Sequence, residues 1–220
     1  MIDFNRLIER FLEREFRPKK IGRYYPSEIG LCLRKVYYSY RYPKEAGKDA
    51  LRVWELGNLL HDFVVRVLKS EKNPEVELLK HEMPLKFDVD DFTIVGRVDD
   101  LLLVKESGRS FLVEVKSCRD VSSLKGPKDH HTIQLQFYMH ATGVRNGILV
   151  YIDKNDLSTK SFRVDFDENL AKEIIERFRI LHESLKNGKV PVAEAKQIPE
   201  MNWMCRFCEY AERCENESVG

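Results

Sequence analysis

No stretch of this 220-residue chain is apolar for long enough to cross a bilayer. The apolar run near its middle, Ile148 to Ile152, is far shorter than the ~20 residues a spanning helix needs. The front of the chain lacks the pattern of a secretory leader, because Asp3, Glu9 and Glu13 interrupt its apolar residues. These two absences lead to the expectation of a cytoplasmic protein with no membrane partner. Net charge is also scarce. The 37 basic residues face 36 acidic ones, for a formal charge of +1, which excludes a uniformly basic nucleic-acid coat. Internal repeats and low-complexity tracts are missing. With 43% hydrophobic and 33% charged residues, neither a fibrous nor a disordered chain is expected. Cysteine is sparse, at five residues, and disulfides are unusual in the cytoplasm.

What is present is unevenly distributed. The first 52 residues hold 13 Lys/Arg and 7 Asp/Glu, a local net of +6 that leaves about −5 for the rest. A positive front favours an anionic partner there. Six of the nine tyrosines, Tyr24, Tyr25, Tyr37, Tyr38, Tyr40 and Tyr42, fall in the same region. Aromatic rings among basic side chains suit stacking on a single nucleic-acid strand, although Tyr37 and Tyr38 read as core positions.

The apolar spacing predicts a first helix capped by Asp3 and a second running from Ser27 to about Tyr40, after a basic linker over Pro18–Pro26. A third runs from Asp49 to about Ser70, with Leu51, Trp54, Leu60, Phe63, Val64 and Val67 on its buried side. Strands follow at Val76–Phe87, Phe92–Val104 (interrupted near Gly96) and Phe111–Lys116. A helix over Lys128–Ala141 then precedes a strand pair, Gly147–Ile152 and Ser161–Phe166. A last helix from Glu168 to about Lys186 ends at Asn187-Gly188. The order predicts an α/β core with a helical front and an irregular, cysteine-bearing tail.

Glu114 and Lys116 share one face of a strand, because side chains alternate along it. A charged pair there is costly unless it is partnered or binds a metal. Asp99 follows Gly96-Arg97-Val98, and a hairpin would set it beside Glu114. Two carboxylates at one point suit Mg²⁺ or Mn²⁺, and Lys116 could orient a water or stabilise charge on a phosphate. Asp100 competes as a ligand from the opposite face. Gly57 and His61 lie four apart on one helix face. The small residue makes room, and a nitrogen ligand favours Mn²⁺ over Mg²⁺. Gln134 and Tyr138 likewise share a helix face, where an amide and a phenol can meet phosphate or base edges.

Cys205-x-x-Cys208 followed by Cys214 is the spacing of a bound centre. A fourth ligand comes from Cys32 or Cys118, with Cys32 favoured. It would tie the first 35 residues to the last 20 through a metal staple. Zinc and iron–sulfur clusters both accept four thiolates, and spacing does not separate them.

Taken in order, Cys32, Gly57/His61, Gly96–Asp99, Glu114-Val115-Lys116, Gln134–Tyr138 and the three-cysteine tail resemble the RecB-like branch of the PD-(D/E)xK nucleases. The likeness is greatest to the CRISPR-associated RecB-like exonuclease family and covers nearly the whole chain. Val98 stands where that family often has proline. The resemblance implies a restriction-endonuclease-like core, a mixed β-sheet flanked by helices, over residues 49–189. Residues 1–48 and 190–220 would together form an iron–sulfur lobe. It implies metal ligation by His61, Asp99, Glu114 and the Val115 carbonyl, with Lys116 as the catalytic lysine and Gln134 and Tyr138 beside it. Cys32, Cys205, Cys208 and Cys214 would hold a [4Fe–4S] cluster. The implied activity is Mn²⁺- or Mg²⁺-dependent 5′-to-3′ exonucleolytic hydrolysis of single-stranded DNA. The implied role is processing fragments for a CRISPR spacer-integration complex. A non-catalytic, cysteine-stapled nucleic-acid-binding subunit is the alternative.

Overall fold

The structure is a computed structural model that describes residues 1–217; the last three residues of the 190–220 segment lie outside it. Eight α-helices, one 3₁₀ helix and six strands follow one another among the described residues. Helix α1 (Phe4–Leu12) is capped by Asp3, whose carboxylate accepts the Arg6 amide. A two-residue strand β1 (Arg23–Tyr24) follows, then α2 (Pro26–Ile29), α3 (Leu33–Arg41) and α4 (Lys48–Leu68). The central strands are β2 (Val76–Val89), β3 (Phe92–Val104) and β4 (Arg109–Cys118). Helix α5 (Asp129–Thr142) leads to β5 (Asn146–Asp153) and β6 (Thr159–Asp165), and α6 (Glu168–Asn187) ends at Gly188 with φ +68°. The tail carries α7 (Glu194–Gln197), a 3₁₀ helix (Pro199–Phe207) and α8 (Ala211–Asn216).

The sheet runs β1-β3-β4-β5-β6, with β2 also on β3. Pairings β1–β3 and β4–β5 are parallel and the rest antiparallel, so the sheet is mixed. One edge of β3 carries β2 along its whole length. The other carries β1 at Thr93–Ile94 and β4 only from Asp100 onward. Between those contacts β3 and β4 part, and β4 continues alone beside β5. This fork is where the charged residues gather. Leu112, Leu149, Leu135, Phe137, Ile174 and Phe178 fill the core between sheet, α5 and α6.

Several sequence expectations need correction. The second helix is not continuous. It breaks at Gly30, with Cys32 at the N-cap of α3. The reason is tertiary: α5 crosses there so closely that a Cβ on Gly30 would lie 2.6 Å from His130 Cα and 2.8 Å from its carbonyl oxygen. The Pro18–Pro26 linker contributes β1 to the sheet. Strand β3 runs through Gly96 without interruption, because Gly96 leaves the space that Tyr138 and Pro26 occupy. On α4 only Leu60 and Val65 are buried, whereas Trp54 and Val67 are exposed. The tyrosine-rich front is mostly core: Tyr24, Tyr37, Tyr38 and Tyr40 are buried, and of the six only Tyr42 is largely exposed. It is therefore no stacking platform. Nor does close approach demand Gly57, since a Cβ there would meet Ser117 Oγ at an ordinary 3.9 Å.

The two glycines should respond oppositely. Gly30→Ala must displace main chain and should cost about 1–3 kcal/mol in denaturant unfolding. Gly57→Ala, inside α4 with room to spare, should be neutral or stabilising by up to about 1 kcal/mol.

Candidate active site and cysteine cluster

The fork between β3 and β4 fixes the site. The ladder pairs Asp100 with Val113, so the next opposed positions are Asp99 and Glu114. There the strands no longer exchange backbone hydrogen bonds. Instead the Val115 amide donates to Asp99 Oδ2 at 2.9 Å. A side chain thus replaces the missing ladder partner and turns the carboxylate toward β4.

Glu114 is buried. Its Oε1 accepts from Lys116 Nζ at 2.7 Å and from Gln134 Nε2 at 2.8 Å. Gln134 Oε1 in turn accepts from Lys116 Nζ at 3.1 Å, and Gln134 Nε2 lies 3.4 Å from the Tyr138 hydroxyl. Successive turns of α5 therefore brace the two charged residues of β4. Glu114 Oε2 is buried without a hydrogen-bond partner among the described residues. A buried carboxylate oxygen left bare is costly, and it fits a cation-binding position.

The electrostatics agree. Burial, and then the Asp99 charge, push the Glu114 carboxyl up to about 7. Burial likewise raises Asp99, against the pull of Lys116 and His61. For Lys116 burial pushes downward, but the Glu114 and Asp99 charges outweigh it and keep the ammonium protonated. Two carboxyls short of positive charge and one lysine make a cleft that gains from a divalent ion.

His61, on α4, lies within electrostatic range of Asp99 and Glu114, but its hydrogen bond goes to Asp100. Its imidazole Nε2 lies 3.2 Å from Asp100 Oδ2, and Asp100 Oδ1 lies 3.0 Å from Nδ1 of His81 on β2. The Asp100 side chain is fully buried. Burial pulls the His61 imidazole down, but the bond to Asp100 and the Asp99 charge win, and it sits above its usual value. His81 escaped the sequence reading. Its only signal is positional, since the β2–β3 register sets it opposite Asp100.

Elsewhere, Cys32, Cys205, Cys208 and Cys214 line one cavity with Tyr38, Ala195 and Met204. Burial, and then the neighbouring cysteines, raise the Cys205 thiol. Four sulfur donors around one cavity are the donor set of a four-thiolate centre. Cys118, half-buried at the end of β4, is not part of that lining. Polar bonds tie the two chain ends together here. Arg177 of α6 grips Glu194 through two nitrogens, at 2.6 and 3.1 Å, and donates to the Ile29 and Leu31 carbonyls. The Leu33 amide donates to Glu194 Oε2 at 2.9 Å, and Arg34 Nε donates to the Pro191 carbonyl at 2.7 Å.

Comparison with known proteins gives the family and the fold. Residues 42–215 match the family model of the PD-(D/E)XK nuclease superfamily. The chain is 27% identical to the CRISPR-associated exonuclease Cas4 of Saccharolobus solfataricus over 211 residues, covering 94% of this chain and 95% of that protein. The crystal structure of SSO0001 superposes with a TM-score of 0.60 at 24% identity, covering 94% of this chain and 91% of that one. An alkaline exonuclease from Laribacter hongkongensis gives 0.56 at 15% identity, over 76% and 90%. These structures share the fold. Among the described residues, no helix is long and apolar enough to cross a membrane.

Proposed function

Because the chain belongs to the PD-(D/E)XK nuclease superfamily, we propose that it is a divalent-metal-dependent exonuclease acting on single-stranded DNA with 5′-to-3′ polarity. The observation that carries this reading is the bare Glu114 Oε2 in a cleft that also holds Asp99 and Lys116. Asp99 and Glu114 would hold Mn²⁺ or Mg²⁺, with His61 and the Val115 carbonyl completing the set. When bound, the ion lowers the pKa of a water and neutralises phosphate charge.

The chain's own groups do the rest. Lys116, kept cationic by its two carboxylate neighbours, orients the attacking water and stabilises charge on the phosphate. Gln134 holds Lys116 and Glu114 in register, and Tyr138 backs Gln134 from the next turn. Cys32, Cys205, Cys208 and Cys214 would hold a [4Fe–4S] cluster. It would staple residues 1–48 to residues 190–220, making of them one lobe beside the nuclease core at 49–189. The likeness to a CRISPR-associated exonuclease supports a role in trimming DNA for a spacer-integration complex.

End-labelled linear and circular single strands test the activity. Release of the 5′ label first from linear DNA, with circles untouched, supports the reading. Cut circles would make it an endonuclease, and binding without cutting would make it a non-catalytic subunit.

Ion binding should also release protons. Glu114 titrates near 7 without an ion, and only its carboxylate form ligates. At pH 6 most molecules must lose a proton to bind Mn²⁺. Release should approach about one proton there and vanish well above pH 7, while affinity rises with pH and levels off. Calorimetry in buffers of different ionisation enthalpy reads this directly, and Glu114→Gln should remove most of it.

A further inference from the structure

We propose that His61, His81 and Asp100 form a second divalent-metal site, one that takes a nitrogen-preferring ion such as Zn²⁺ and competes with the Asp99–Glu114 pair for His61. The competition clause rests on the nuclease reading above; the site itself does not.

The three residues come from three elements, α4, β2 and β3. Their ligand atoms all lie within 4.8 Å of one another. Each imidazole nitrogen faces its own oxygen of the Asp100 carboxylate, at 3.2 and 3.0 Å. Ligand atoms around a tetrahedral zinc, each about 2.0–2.1 Å from the ion, stand roughly 3.3 Å apart. Each Asp100 oxygen thus has one imidazole nitrogen near that spacing, and a bound ion would draw the three ligand atoms, now within 4.8 Å of one another, together. Two imidazoles with one carboxylate suit borderline ions better than Mg²⁺.

Burial gives a second reason. The Asp100 side chain has no exposure, while those of His61 and His81 are 14% and 28% exposed. The two imidazoles satisfy this buried carboxylate's hydrogen bonds, and an interior carboxylate gains from a full positive charge beside it. A divalent ion supplies that charge and remains reachable from solvent on the histidine side. The backbone beside this contact is irregular. Beside it the β2–β3 register slips between Leu78 and Lys80, and Glu82, next to His81, sits at φ +46°. Such a conformation is disfavoured for a side-chain-bearing residue and persists only where its surroundings hold it.

An imidazole nitrogen ligates one ion at a time. An ion held by His81 and Asp100 through His61 therefore withdraws that imidazole from the nuclease centre. Zn²⁺ would act as a brake on Mn²⁺-supported cleavage through a residue, His81, that cleavage itself does not use.

The test counts zinc. The full-length protein, its cysteine centre loaded, is compared as Asp99→Asn/Glu114→Gln and as the same variant with His81→Gln added. The first should bind about one more equivalent of Zn²⁺ and gain thermal stability from it. The second should lose both effects while melting at the same temperature without zinc. Equal zinc counts in the two overturn the site. His81→Gln alone should keep Mn²⁺-supported cleavage and escape part of its inhibition by Zn²⁺; equal inhibition overturns the competition clause. If the zinc counts differ but the wild type cuts no DNA with Mn²⁺, the site stands and the nuclease reading fails.

Discussion

Replacing Glu114 by glutamine should lower Mn²⁺-supported cleavage by at least about a thousandfold while single-stranded DNA affinity stays nearly unchanged. The amide keeps the shape of the carboxyl, and its oxygen can still accept from Lys116 and Gln134, the two donors now on Oε1. It removes the negative charge and turns the bare Oε2 position into a donor or a poor ligand. Folding should not suffer. The wild-type carboxyl is forced up to about 7 by its burial, so without an ion a neutral side chain is easier to bury than a charged one. The sign is testable. Raised from 4.5 to about 7 in the fold, Glu114 binds a proton more tightly folded than unfolded. The ion-free protein should therefore lose stability as pH rises through that window, and Glu114→Gln should flatten this loss. Activity falls, stability at pH 8 rises, and the two readouts move in opposite directions.

The second large effect concerns the chain ends. On the proposed [4Fe–4S] assignment, Cys32→Ser should remove the protein's visible absorbance together with its iron and sulfide. It should also lower the melting temperature by about 10 °C. The magnitude follows from topology. A centre shared by Cys32 and the 205–214 cysteines closes a loop of well over a hundred residues, and cross-links of that span are worth about 4–5 kcal/mol. For a chain of this size, each kcal/mol corresponds to about 2–4 °C. Cys118→Ser, at a thiol outside the cavity lining, should leave absorbance and iron content unchanged. The Arg177–Glu194 pair and its bonds to Ile29, Leu31 and Leu33 should hold part of the lobe together after the cluster is lost. The drop should then stop short of complete unfolding.

The site was legible where a local rule governed it. Alternation along β4 put Glu114 and Lys116 on one face, and a hairpin was enough to bring Asp99 opposite Glu114. Helical spacing paired Gln134 with Tyr138. What escaped depends on contacts between distant segments. The break at Gly30 exists because His130 packs against it, and nothing near residue 30 announces residue 130. The tyrosines of the front read as a stacking surface by composition, with only Tyr37 and Tyr38 set apart as core, yet Tyr24 and Tyr40 are buried as well, because β1 joins the sheet and α3 lies against α6. Trp54 follows an apolar stripe that α4 leaves partly exposed, since its contacts with β2, β4 and α1 cover only part of that stripe. His81 was invisible because it meets Asp100 through a register that a bulge shifts, which no spacing rule anticipates.

The most direct measurement is a Mn²⁺ titration of ion-free wild type and Asp99→Asn on linear end-labelled single-stranded DNA, followed by product length. Wild type should yield no product before the ion is added and progressively shortened strands after it. Asp99→Asn should yield none at any concentration while still binding the DNA. Cleavage that persists in a chelator, or that Asp99→Asn supports as well as wild type, would contradict a metal centre at the β3–β4 fork.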